Sequence, residues 1–345
     1  MNRTKGCSMN LNLSQIKQIT LGAVRIEEHE SGFNFYRFTK EQEELYKNRS
    51  AEFYMKSFAT SGVRMHFHTN SETMFLRTDV IPGSSRSYFA FDVLVNGKKI
   101  ATLDNYSDLE LPPDYTKISY PIGEFSKEFQ LGEGEKEVCI YFPWSAKATL
   151  KTIALDDNSF IRPIKLSKKI LCFGDSITQG YDSLSPSNKY ISRVANVLDA
   201  EEFNKAIGGE VFFPELASTK EDFVPDYISV AYGTNDWNCK TREEFEHNCS
   251  AFFLNLHDSY PTSKILVITP IWRKDMNEDK PCGKFECVEE FIEKEVSQYE
   301  NVSVIRGFDL VPQDEKLFGD LRLHPNDKGF DFYFENLAQG IKTIL

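Results

Sequence analysis

Apolar and polar residues alternate with a period of two along much of the first half of the chain, and gather into short apolar blocks along the second, so the halves predict different architectures. Alternation begins within the stretch from Ala51 to about Leu155. It is clearest over Val63 to His68, Thr73 to Arg77 and Tyr88 to Val95, which predict β-strands. Asn96-Gly97 is a strong hairpin signal, because both residues tolerate the positive φ of a tight turn, and Lys99 to Leu103 is the returning strand. Further strands are predicted at Ser126 to Leu131 and Lys136 to Phe142, with Gly132 to Gly134 as the turn between them. Short strands with polar turns and little helix read as an antiparallel β-sandwich, jelly-roll-like in kind. Before it come a polar lead, a short apolar segment from Ile19 to Ile26, and a charged piece, Lys40 to Leu45, read as a surface helix turn.

Alternation stops around Asp156 to Ser167, where Pro163 interrupts the chain, and the domain boundary is placed there, giving units of residues 1–160 and 161–345. Strands are predicted beyond it at 169–173, 202–207, 226–232, 264–270 and 301–306. Helices are predicted near 190–198, 241–258, 286–298 and 327–344. Alternation of this kind predicts an α/β fold with a parallel sheet covered on both faces, and sites in such sheets lie outside the carboxyl ends of the strands.

Length agrees with two domains, since 345 residues exceed what one core usually serves. A formal net charge of -12 argues against general affinity for nucleic acid or an anionic membrane and suits a neutral or cationic small substrate. The seven cysteines, at 7, 139, 172, 239, 249, 282 and 287, are odd in number and scattered, and read as reduced thiols. Cys282 and Cys287 lack a partner pair at zinc-like spacing, and His66 and His68 share one face of a strand without a third ligand, so no metal is expected. Met1 to Cys7 has no apolar core of a signal peptide, and no run of about 18 apolar residues occurs, so the chain is read as cytoplasmic, with Met9 as a possible alternative start.

Candidate chemistry sits at the strand ends. Cys172-Phe173-Gly174-Asp175-Ser176 closes the first parallel strand and leaves a serine where a helix starts; Gly174 permits the sharp turn and Asp175 can cap it. Such a serine is often only a helix cap. The second strand, however, ends in Gly208-Gly209, the third in Gly233-Thr234-Asn235-Asp236, and the last helix is preceded by Asp320-Leu321-Arg322-Leu323-His324-Pro325. Ser, Gly, Asn and His, each after a different strand, form a coincidence that outweighs their individual readings as turn residues. His324 on that loop could take the proton of Ser176 and return it to a leaving alcohol.

These four positions resemble the four blocks of the SGNH subgroup of GDSL esterases and lipases, over roughly residues 168–345, with isoleucine where the GDSL name has leucine. The resemblance implies a three-layer flavodoxin-like domain, Ser176 as nucleophile, and His324 as base. It also implies an oxyanion hole from the N–H of Ser176, the N–H of Gly209 and the side chain of Asn235, and no cofactor. The family has Asp-x-x-His, whereas Leu321 stands three before His324 here and Asp320 four before. Asp320, a backbone carbonyl or Asp309 thus remain alternatives for orienting the imidazole. A sandwich before such a domain is similar to carbohydrate esterase family two and related two-domain acetylesterases, which implies an acetylated oligosaccharide or other small ester as substrate. Trp237 and Trp272 are candidate substrate-binding faces, and Trp144 is read as a packing or interdomain residue. The alternatives are a lysophospholipase or thioesterase on the same scaffold, and an inactive sugar-binding protein. The oligomeric state is not legible.

Overall fold

The structure, a computed structural model, describes residues 9–344. The leader Met1 to Cys7, with its cysteine, lies outside the described residues. Among them, two antiparallel sheets precede one parallel sheet.

The first half is a sandwich. Strands Arg25–His29, Gly32–Tyr36, Ala146–Leu155, Thr73–Pro82 and Gly123–Gln130 form one sheet in that spatial order. Arg162–Pro163, Arg64–Thr69, Lys136–Tyr141, Ala90–Val95 and Lys98–Asp104 form the other. Alternate residues such as Met65, Phe67, Leu76, Phe91, Val138 and Ile140 point between the sheets and make one core. Asn96 and Gly97 take φ of 49° and 76°, the hairpin geometry their pairing predicts.

The second half is a five-stranded parallel sheet in the order Ala200–Asn204, Lys168–Gly174, Tyr227–Ala231, Lys264–Ile268, Val302–Ile305. That 2-1-3-4-5 order is the flavodoxin-like one, and it opens a crevice above the first and third strands, where the chain's direction of winding reverses. Helices Arg242–Ser259 and Glu286–Val296 pack on one face, and Tyr190–Val197 and Asp327–Ile344 on the other. The predicted strand 202–207 ends at Asn204, because the Asn204 side chain turns the backbone by bonding the N–H of Ala206 (3.0 Å) and the carbonyl of Thr178 (3.0 Å).

Residues 40–57 depart from expectation. The charged stretch from Lys40 is no surface turn but a helix, Lys40–Arg49, started by a Thr39–Gln42 capping box. Ala51–Ser57 is a second helix rather than the start of the alternating pattern. Tyr46 is fully buried, 5.5 Å from the ring of Phe213, and joins Phe38 in the core beneath the parallel sheet. Arg37, also buried, donates to the carbonyls of Ala59 (2.5 Å), Asn204 (2.6 Å) and Ala206 (3.1 Å). A segment from the first half thus completes the core of the second.

Candidate active site

Ile170 to Phe173 are buried between the helical layers, and the chain leaves the sheet at Gly174, where a Cβ would lie 2.3 Å from Thr178 Oγ1. Only glycine fits there. Asp175 caps the helix Ser176–Gln179 by accepting the N–H of Ile177 (2.9 Å), and Gly180 ends it at φ 114°. Ser176 therefore sits at a helix start, at the carboxyl edge of the sheet.

Its Oγ lies 2.7 Å from Nε2 of His324, and Nδ1 of the same ring lies 2.7 Å from Oδ2 of Asp320. The other Asp320 oxygen accepts the N–H groups of Arg322 (3.0 Å), Leu323 (2.8 Å) and His324 (3.1 Å). Leu321, the extra residue relative to an Asp-x-x-His spacing, takes φ 57°, and this one left-handed residue absorbs the insertion. Burial pushes the Asp320 carboxyl up, but the hydrogen bond to His324, its charge and the backbone N–H groups outweigh burial and hold it well below the usual carboxylate range. Of the three alternatives for orienting the imidazole, Asp320 is the one whose side chain lies within hydrogen-bond distance of Nδ1. Asp309 lines a groove with Pro270, Arg306 and Phe308 instead.

Joined to the serine helix through Gln179, the loop after Asn204 carries the two glycines. Gly208 donates to Gln179 Oε1 (2.7 Å), its carbonyl accepts Lys56 Nζ (2.8 Å), and a Cβ on it would meet the Tyr181 hydroxyl at 2.3 Å. Gly209 follows at φ 88°. No acceptor is found among the described residues for the N–H of Gly209 or of Ser176. Asn235, in the helix Thr234–Cys239, gives one amide hydrogen to the Glu210 carbonyl (2.9 Å), which leaves its second N–H to donate elsewhere. The buried Glu210 carboxylate is paired with Arg49, so the two helices of residues 40–57 hold this loop through Arg49 and Lys56.

Beneath it, burial pushes the carboxyl of Asp175 up to about 6 and that of Asp236 up to about 7. Asp236 Oδ1 accepts the Phe212 N–H (3.1 Å), while its Oδ2 is buried without a partner among the described residues.

The tryptophans divide. Trp237 is fully buried; its Nε1 donates to the Gly283 carbonyl (2.8 Å), Arg273 covers its ring at 4.7 Å and Phe285 abuts it. No face is left for a sugar, which corrects the expectation for Trp237. Trp272 is half-buried beside Phe318, 5.3 Å away, and keeps an accessible edge. Trp144 makes an interdomain contact, donating to the Ser183 carbonyl (2.8 Å) and packing on Tyr181.

Sequence reasoning missed Asp182, Arg86, Tyr88 and Tyr181. The Asp182 carboxylate is fully buried, 3.6 Å from Nδ1 of His324, and accepts Arg86 and the Tyr88 hydroxyl (2.9 Å); the Tyr181 ring lies 5.3 Å from that of His324. No local pattern marks these residues, because Tyr88 and Arg86 stand 94 and 96 positions from Asp182.

Residues 172–332 match the model of the GDSL-like Lipase/Acylhydrolase family. No curated protein matches the chain. Among solved structures, the chain is similar to the salicylyl-acyltransferase SsfX3 from a tetracycline biosynthetic pathway, with a TM-score of 0.77, 20% identity and 94% of each chain covered. It is similar to a putative GDSL-like lipase from Bacteroides ovatus, with a TM-score of 0.73 at 18% identity over 95% of this chain and 96% of that one. It is also similar to an acetyl xylan esterase from the rumen bacterium Butyrivibrio proteoclasticus, with a TM-score of 0.61 at 15% identity over 97% and 98%. These likenesses span both halves and establish the two-part fold. No helix among the described residues is long and apolar enough to cross a membrane.

Proposed function

On the premise that the chain carries a GDSL-like acylhydrolase domain and is a carboxylic ester hydrolase, we propose that it removes short acyl groups, acetyl above all, from carbohydrate esters such as acetylated oligosaccharides. The observation that carries the mechanism is the unbroken chain of hydrogen bonds from Ser176 through His324 to Asp320. The carbohydrate and the acetyl group rest on the whole-chain likeness to a two-domain acetyl xylan esterase.

As Ser176 Oγ bonds to the ester carbonyl carbon, its proton passes to Nε2 of His324, and Asp320 steadies the imidazolium through Nδ1. The carbonyl oxygen, now an anion, takes the N–H groups of Ser176 and Gly209 and the free amide hydrogen of Asn235. Collapse expels the alcohol, which leaves with the proton held on Nε2. Water then gives a proton to His324 and attacks the acyl-serine, and the acid departs as the Ser176 hydroxyl is restored. Apart from the ester and the water, each step draws on groups of this chain. Residues 1–160 and 161–345 serve as two units, the first buttressing the second. Cysteines that are all free among the described residues support a reducing compartment, the cytoplasm.

Mass spectrometry of acetylated manno- and xylo-oligosaccharides before and after incubation tests this, with Ser176→Ala as the control. Losses of one acetyl mass with the active chain alone support it. Preference for p-nitrophenyl octanoate over the acetate would move the assignment to a lipid ester or thioester, and glycan binding with no ester turnover would make the chain a sugar-binding protein. Appearance of an acylated second sugar would show transfer in place of hydrolysis.

A further inference from the structure

His324 Nδ1 faces two carboxylates, and only one of them is in hydrogen-bond contact. Asp320 is 2.7 Å away and Asp182 is 3.6 Å away. Asp182 is fully buried, on a residue held at φ 69°, with Oδ1 receiving Arg86 Nε at 2.7 Å and the Tyr88 hydroxyl at 2.9 Å, and Oδ2 receiving Arg86 Nη2 at 3.2 Å. Its backbone carbonyl accepts the Tyr115 hydroxyl (2.7 Å). Arg86 also lies over the ring of Tyr181 (5.4 Å), which packs against the imidazole, and the Tyr181 hydroxyl accepts the N–H of Ser85 (3.3 Å). Arg86 and Tyr88 come from the sandwich half, and Asp182 and His324 from the other.

We propose that Arg86 is a positioning residue for the acyl-transfer reaction: by forking both oxygens of Asp182 it neutralises that carboxylate and leaves the Nδ1 hydrogen to Asp320. A guanidinium fork suits this, because it fixes both oxygens in one plane and stays charged at any working pH. Without it, a dehydrated carboxylate beside Nδ1 would draw the hydrogen from Asp320 and stabilise the imidazolium, so that His324 would stay protonated, and unable to take the serine proton, to higher pH. The charged and titratable groups about the ring and its carboxylates are Asp320 on its own loop, Asp182 and Tyr181 on the loop after the serine helix, Ser176 at the start of that helix with Asp175 capping it, and Arg86, Tyr88 and Tyr115 from the sandwich. Arg86 is the cation among them. The sandwich would then tune the base as well as buttress the half that carries it.

The proposal rests on the reading of Ser176 and His324 as the reacting pair, and its test keeps the two separable. The pH profile of kcat/KM on p-nitrophenyl acetate is measured for the intact chain and variants, alongside the NMR titration of the His324 ring, assigned by its loss in His324→Gln. Arg86→Gln is expected to move the acid limb, and the ring titration, up by about one pH unit, since an unpaired carboxylate this close favours the cation. Asp182→Asn, which leaves the positive charge without its carboxylate, moves both down. The double variant, with neither charge, returns them near the starting position, whatever it does to Tm. Should Arg86→Gln not fold, the downward shift in Asp182→Asn still decides the matter. Limbs and titrations that coincide in all variants while Tm falls would overturn the proposal and leave Arg86 an interface residue. If no ester is turned over by the intact chain, the functional reading fails, and the ring titration alone still tests the inference.

Discussion

Asp320 and His324 face each other at 2.7 Å across a loop one residue longer than the Asp-x-x-His spacing, and Leu321 at φ 57° is where the surplus residue goes. The carboxylate also collects three backbone N–H groups of that loop, so it orients the base and folds the turn that carries it.

Asp320→Ala is accordingly expected to lower kcat by about 10³-fold or more, with Asp320→Asn at least as severe, because an amide can present a donor where Nδ1–H needs an acceptor. Steady-state kinetics on p-nitrophenyl acetate, with Tm followed in parallel, checks this. Near-normal kcat in a folded Asp320→Ala protein would reduce the triad to a Ser176–His324 dyad.

Asn235→Ala should lower kcat by about 10² to 10³ with little change in KM, the effect of one lost oxyanion donor. A change in KM alone would make Asn235 a ground-state binding residue.

Arg49→Ala leaves the buried Glu210 carboxylate without its cation and frees the loop that bears Gly209. A stability loss of about 3 kcal/mol is expected, since breaking a buried pair strands the remaining charge, together with a fall in kcat. Denaturant unfolding and kinetics read the two effects separately. For the same reason a chain beginning near Ser167, which lacks Arg37, Phe38, Tyr46, Arg49 and Lys56, is expected to be insoluble or inactive even on a small acetyl ester. Full activity in such a truncation would show that the helices of residues 40–57 are dispensable.

Asp236 gives a pH signature. Its folded value of about 7 stands above the ordinary 3.8, so between those values the folded chain keeps a proton that the unfolded chain has released. Its contribution to stability therefore falls as pH rises from about 4 to about 7. Asp236→Asn, which retains an acceptor for the Phe212 N–H, should gain at least about 3 °C in Tm over the parent at pH 8 and much less at pH 4.5. Equal differences at the two pH values would refute an ionising, unpartnered Asp236.

Ser176 and Asn235 were legible as candidates because each follows closely on an apolar strand, Lys168–Gly174 and Tyr227–Ala231, and strand ends of one parallel sheet share one rim, whereas Gly209 and His324 stand further from theirs and were legible only in combination with those two. Asp320 was legible only as one of three candidates, since the contact with His324 across a four-residue spacing depends on the backbone angle at Leu321. Arg49, Lys56, Arg86 and Asp182 were not legible. Their partners lie far along the chain, and a lone charged residue carries no mark of which distant carbonyl or carboxylate it will meet. The helix Lys40–Arg49 misled for a related reason: its composition is that of an exposed surface, and the few residues that dock it, Gln42 and Tyr46, are too few to print an amphipathic stripe. Trp237 misled because adjacency to a site motif says nothing about which way a ring faces.

The docking of residues 40–57 onto the parallel sheet also sets an order of events during synthesis. Arg49 leaves the ribosome 161 residues ahead of Glu210, an interval of roughly ten to thirty seconds at ordinary elongation rates. Throughout it Phe38, Tyr46, Arg49 and Lys56 have nothing to receive them, so the segment that bears them cannot reach its final packing until the second half is made, although the sandwich has a core of its own. His324 arrives only near the end of translation. A gene divided between the halves would therefore yield a second polypeptide whose core stays open until the first supplies Phe38 and Tyr46.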